Sequence, residues 1–213
     1  MSAARTRQCG GGRALGVVAL LVALFFVLPV LGLLWRAPWA DFAAQITSPM
    51  VREALGLSLL SSTLAALMCA VVGLPLAAWL ARGDSALHTA VRVFVTLPMV
   101  LPPVVGGVAL LFAYGRNGLV GAPLARALGI TLPFTTAGVV VAATYVAMPF
   151  FVLAAEGALR DFDRRYADAA HSLGASPWRT FRSVTLPILW PAVRAGLLVA
   201  WARALGEFGA TIT

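Results

Sequence analysis

The chain has 213 residues, of which 61% are hydrophobic and only 11% charged, and its mean hydropathy is +0.91. A water-soluble domain carries about 25% charged residues, so this composition excludes one and makes a lipid bilayer the natural solvent. The net charge of +8 does not indicate a nucleic-acid partner, because the arginines lie in short segments between long apolar runs and form no continuous basic face.

A helix needs about 20 apolar residues to cross the hydrocarbon core. The first such run is 15–34, bounded by Arg13 and Arg36 and preceded by a tail with Arg5 and Arg7. A signal peptide is the rival reading. The run is long for one and further spans follow, so a retained signal-anchor is expected. The second predicted span lies between Glu53 and Arg82, with Gly73 and Pro75 bending it near its end. The third runs from Val93 to about Tyr114 and contains Pro98, Pro102, Pro103, Gly106 and Gly107. The fourth starts near Pro133 and ends before Glu156. The fifth starts near Pro191 and runs to the end of the chain, with Arg203 and Glu207 inside it.

Positive charge concentrates on the cytoplasmic side of membrane proteins. With the N-terminus inside, eleven arginines fall in cytoplasmic segments, against Arg36, Arg52, Arg116 and Arg126 outside. The predicted protein is therefore multi-pass in an inner (plasma) membrane with a cytoplasmic N-terminus. Five spans leave Thr213 outside, and a sixth is expected to be missing through truncation. The predicted organisation is 1–53, holding the tail, the first span and an external loop, and 54–213, a transmembrane core.

The chain contains no lysine. A Walker A loop needs one to hold nucleotide phosphates, so this kind of ATP site is excluded. Cys9 and Cys69 make no metal or disulfide pattern, and His88 and His171 fall in cytoplasmic segments as solvated side chains. No catalytic triad, paired acid–base site or metal cluster is visible. The expectation is no enzyme, no metal and no cofactor in this chain.

One cytoplasmic segment, 160–187, differs from its surroundings. Phe162, Tyr166, Ala169, Ala170 and Leu173 recur at helical spacing and make an apolar stripe, with Asp161, Asp163, Arg164, Arg165 and Asp168 largely off it. Gly174 ends that helix as a C-terminal cap does. Ser176 and Pro177 suit the N-cap and first position of a second helix, which carries Trp178, Phe181 and Val184 on one side. Pro187 marks its boundary with the fifth span. This helix–glycine–helix hairpin either lies on lipid headgroups or docks a cytoplasmic partner.

The hairpin resembles the EAA loop of binding-protein-dependent ABC importer permeases. That motif reads Glu-Ala-Ala, three residues, Gly, nine residues, then Ile-x-Leu-Pro. The chain has Asp168-Ala169-Ala170, three residues, Gly174, nine residues, then Val184-Thr185-Leu186-Pro187. The spacing is complete; aspartate stands for glutamate and valine for isoleucine. Residues 97–111 (LPMVLPPVVGGVALL), the following YGRNGLVG, and 202–213 (ARALGEFGATIT) resemble molybdate permeases in particular. Sulfate permeases carry similar segments, with a tyrosine and a serine expected where Phe208 and Ala210 stand. The resemblance covers about residues 55–213.

The resemblance implies an all-α, polytopic membrane protein with the MetI-like permease core. Its function would be passage of an oxyanion, most closely molybdate, by alternating access; sulfate, thiosulfate and tungstate are the alternative cargoes. The partners implied are a cytoplasmic ABC ATPase that binds ATP and Mg, a periplasmic oxyanion-binding protein, and a second copy of this chain. Asp168, Ala169, Ala170, Gly174, Ala175, Leu186 and Pro187 would form the coupling contact with the ATPase. A self-contained channel or secondary transporter is the competing class, and it would need no ATPase.

Two features bear on the path itself. Arg203 lies near mid-bilayer, where a charge is costly and is usually paired or functional. Glu207, one turn on, offers a local ion pair; either the pair only neutralises itself, or Arg203 lends positive potential to an anion path. Pro102, Pro103, Gly106 and Gly107 either kink the third helix for packing or break it to open backbone groups to a pore.

Overall fold

The computed structural model describes residues 11–163 and 165–206, and all regular structure among them is helical. The chain divides into two compact units, Met1–Arg52 and Glu53–Thr213. In the first, α1 (Gly11–Arg36) is apolar along its length and carries Pro29 inside it. A turn in which Trp39 Nε1 donates to the Leu34 carbonyl at 2.8 Å leads to α2 (Phe42–Thr47).

The second unit is built on three long helical segments. The first is α3 (Pro49–Met68), continued by a five-residue π segment, Cys69–Gly73, into α4 (Leu74–Leu80). The next is α8 (Thr136–Asp161), started by Thr135, whose side chain accepts from the Gly138 N–H at 3.1 Å. The last runs from α10 (Pro177–Thr180) through a second five-residue π segment, Phe181–Thr185, into α11 (Leu186–Gly206). Among the described residues four helices are long and apolar enough to cross a membrane: Leu15–Arg36, Pro49–Leu80, Thr136–Asp161 and Pro177–Gly206.

Three expected boundaries are corrected. The third span is two helices, α5 (Ala86–Val100) and α6 (Pro103–Tyr114), separated by Leu101 and Pro102 in extended conformation. Pro102 and Pro103 have no N–H, so the carbonyls of Pro98 and Met99 lose their helical donors and the helix stops. The fourth span does not end before Glu156; α8 continues to Asp161 with Glu156 buried. The fifth does not begin at Pro191, nor does Pro187 end the helix before it. Leu186 N–H reaches back five residues to the Phe181 carbonyl, and this widened turn carries the helix across the position where Pro187 donates nothing. The same device stands two residues before Pro75. Short connections complete the unit, among them α7 (Gly121–Leu128), capped by Gly129 at φ 67°.

The core where these segments meet is made largely of small side chains: Ala65, Cys69, Ala77, Ala143, Ala147, Ala155, Ala200 and Ala204 are buried around Phe151. Lipid tails are as apolar as leucine, so close approach of backbones, not exclusion of water, rewards helix association. A Cβ on Gly73 would stand 2.8 Å from Phe151 Cδ1, and one on Gly196 would stand 3.6 Å from its Cδ2. The ring fills the space that the two glycines leave.

Candidate functional site

Among the described residues three places carry polar chemistry: the hairpin, a cavity inside the second unit, and a charge network at the hairpin end of the bundle. The hairpin's first helix, α9 (Arg165–Ser172), holds Asp168, Ala169 and Ala170. Gly174 follows at φ +80°. Its N–H donates to the His171 carbonyl at 2.9 Å, and the Ala175 N–H donates to the Ala170 carbonyl at 3.0 Å. This pair of bonds is the Schellman closure, which needs a left-handed residue and so favours glycine. A Cβ on Gly174 would meet nothing within 4 Å, so the backbone angle, and no neighbouring atom, sets its identity. Ser176 Oγ accepts from the Arg179 N–H at 3.4 Å, and Pro177 opens α10. Leu186 opens α11 and Pro187 lies one residue inside it.

Large apolar side chains point outward here: Leu173 is 89% exposed, Trp178 70% and Tyr166 58%. Trp178 and Phe181 stack at 5.9 Å. The hairpin thus presents an uncovered apolar surface on a short, well-capped frame. Isolated exposed apolar residues are ordinary; a group of them on one small element marks an interaction surface.

The cavity, of about 90 Å³, is lined by the end of α5, the break, α6, the first half of α8 and the last turns of α11. Of the residues expected on the path, Pro103, Gly106, Gly107 and Arg203 all line it. Pro102 is not in the lining, and Glu207 lies outside the described residues. Ser61 and Tyr145 also face it; nothing in their local sequence marked them, because their place depends on how α3 and α8 meet. Among the described residues of the lining Arg203 alone is formally charged, and its guanidinium carbon lies 6.0 Å from the Phe150 ring centroid. A neighbouring recess of about 660 Å³ lies between α6 and the start of α8, and the described residues that line it are apolar or uncharged, so none of them offers an anion a counter-charge. At the break the Leu101 N–H reaches the Leu97 carbonyl at 3.1 Å and the Gly106 N–H the Pro102 carbonyl at 3.0 Å, while the Pro98 and Met99 carbonyls lack their helical donors.

At the hairpin end of the bundle lies a charge network that the sequence did not reveal. Glu156 accepts from Arg92 Nη2 at 2.6 Å and from Arg160 Nε at 3.0 Å, and Arg160 Nη2 reaches Asp84 Oδ1 at 2.7 Å. The Arg160 guanidinium holds the exposed Asp84 carboxyl below the usual carboxylate range. The spacing of Glu156 and Arg160, one helical turn, was a readable signal; Arg92, 64 residues away, was not. Among the described residues no cluster of potential metal ligands is present.

With this geometry in hand, residues 73–213 match the family described as binding-protein-dependent transport system inner membrane component. The chain is 44% identical over 190 residues to a molybdenum transport system permease protein of Mycobacterium tuberculosis, covering 89% of this chain and 72% of that one. It is 38% identical over 199 residues to a probable molybdenum ABC transporter permease of Haloferax volcanii, covering 92% and 71%. It is 36% identical over 202 residues to a sulfate transport system permease protein of Escherichia coli, covering 93% and 73%.

Proposed function

The chain belongs to the family of binding-protein-dependent transport system inner membrane components, and from that membership we propose that it forms the transmembrane path of an ATP-driven importer for molybdate. The observation that carries the cargo is the higher identity to the molybdenum permease of M. tuberculosis, 44%, than to the sulfate permease, 36%.

The chain supplies the path and a partner supplies the energy. ATP and Mg belong to a cytoplasmic ATPase, since no lysine exists here for a Walker A loop. The hairpin is the contact with that ATPase: Asp168, Ala169, Ala170, Gly174 and Ala175 form its bend and first arm, and Leu186 and Pro187 join its second arm to the last span. The continuous helix from Pro177 to Gly206 supports this role, because a displacement at the hairpin passes along one element to Arg203. A periplasmic binding protein delivers the anion, and two copies of the chain enclose the path. The N-terminus is cytoplasmic, as the arginine distribution favours. Arg203, Ser61 and Tyr145 bring a guanidinium and two hydroxyls to the cavity, groups that attract an oxyanion without the tight binding that would stop its release.

The test is uptake in proteoliposomes that contain this chain, its ATPase and the binding protein. Radiolabelled molybdate should enter only with ATP inside, and faster than sulfate at equal concentration. Uptake without the ATPase would favour a channel or secondary transporter instead, and preference for sulfate would overturn the cargo.

A further inference from the structure

Glu156 has no part in the path described above, yet it is 4% exposed inside an apolar bundle. A carboxylate in that position is tolerable only when it is paired and hydrogen-bonded. Arg92 supplies a two-nitrogen grip, with Nη2 at 2.6 Å and Nε at 3.0 Å from Oε1, and Arg160 adds Nε at 3.0 Å. Arg160 then extends to Asp84 and to the Leu80 carbonyl, at 2.7 and 3.3 Å. A single point therefore joins the end of α4, the 81–85 connection, α5 and α8.

The position of this point on its helices matters. α8 runs from Glu156 a few residues further into the hairpin. α5 runs the other way, from Arg92 to Pro98 and Leu101 at the cavity, a distance of about 13 Å at 1.5 Å per residue. No residue of α5 is fully buried, so apolar packing alone holds it weakly, while Arg92 binds it through charge-assisted bonds that are stronger than neutral ones.

We propose that Glu156 is a positioning residue for transport, clamping α5 to the hairpin end of α8 so that hairpin displacement reaches the cavity through α5. Without the clamp the motion would dissipate in the short 81–85 connection. The inference rests on the importer reading for the direction of coupling, while the attachment of α5 to α8 stands on the geometry alone.

The test uses the assembled complex of this chain, its ATPase and the binding protein in proteoliposomes, with radiolabelled molybdate. Arg92→Met cuts α5 from the network while Arg160 still neutralises Glu156. The expected result is normal assembly and ATP hydrolysis within about twofold of the parent, with molybdate uptake per ATP falling about tenfold, in the range that coupling residues produce. Arg92→Lys should recover much of the loss. Unchanged uptake per ATP overturns the proposal, and so does a parallel fall of hydrolysis and uptake, which is what a merely structural role predicts. A second measurement decides the matter even where Arg92→Met fails to assemble. Spin labels at Thr89 and Ser183, with Cys9 replaced by serine, should keep one distance between the nucleotide-free and ATP-bound complex. A shift of several ångströms would show that α5 and the hairpin move independently. If the parent complex takes up no molybdate, the importer reading fails, and the label distance still decides the clamp.

Discussion

Phe151 on α8 and Gly73 on the π segment of the second span are fitted so closely that a single added methyl at Gly73 would stand 2.8 Å from the ring. The ring cannot swing aside, because it is fully buried and Gly196 lies on its other edge. Gly73→Ala should therefore destabilise the unit by about 1–3 kcal/mol, the usual cost of overpacking. The thermal midpoint of the detergent-solubilised protein measures it. Phe151→Leu combined with Gly73→Ala should recover part of the loss; a double variant no better than the sum of the singles would refute the steric account.

The hairpin bend gives a different kind of prediction. Gly174 holds φ +80° with open space around its Cα, so a substitution strains the backbone without a clash, costing about 1–2 kcal/mol for most residues. Gly174→Val should insert normally and lose uptake, because the bend that presents the hairpin straightens. Gly174→Asn should keep a larger share of activity, since asparagine tolerates the left-handed region. Normal transport by Gly174→Val would remove the hairpin from coupling.

Arg203 separates two roles by comparing yield with uptake. Its place in the cavity lining makes loss of transport the expected outcome for Arg203→Ala: near-normal protein in the membrane and uptake down about tenfold or more, as for loss of a charge-assisted contact. Glu207→Ala added to it should not rescue uptake. A collapse of yield in both single variants, restored in the double, would instead identify a self-neutralising pair.

Asp84 supplies a pH dependence whose sign is fixed. Its folded pKa is lowered, first by the hydrogen bond from Arg160 and then by that residue's charge. The stabilisation is therefore complete above the unfolded carboxylate value, about 3.9, and is lost as pH falls through the lower folded value. The side chain is 73% exposed, so the effect at neutral pH is small. The thermal midpoint of Asp84→Asn should lie slightly below that of the parent at pH 7, and the two should converge below about pH 4. A gap that widens on acidification contradicts this pairing.

The purified chain alone should hydrolyse no ATP, because it lacks the lysine that a Walker A loop requires. Phosphate release should appear only when the partner ATPase is co-expressed. Hydrolysis by the isolated chain that survives further purification would overturn the division of labour.

Residues 168–177 were legible in the sequence because their structure is set locally. Gly174 closes the cap of its own helix, Ser176 accepts from a backbone group three residues on, and Pro177 fits a first helical position. Apolar run lengths likewise determined the membrane class, but not where the helices of the third, fourth and fifth spans begin and end. What only the tertiary structure decided depends on neighbours distant in sequence. Pro187 and Pro191 looked like boundaries, yet the helix passes through both, because a π turn absorbs the missing donor at Pro187 while the segment packs along α8. Glu156 looked like the end of a span, yet it is buried, because Arg92 and Asp84, 64 and 72 positions away in the chain, converge on it and on Arg160. Ser61 and Tyr145 joined Arg203 at one cavity only because small residues let α3, α8 and α11 approach closely. A cap or a run length is fixed within a turn or two of chain, whereas a buried charge or a cavity wall exists only once separate helices have met.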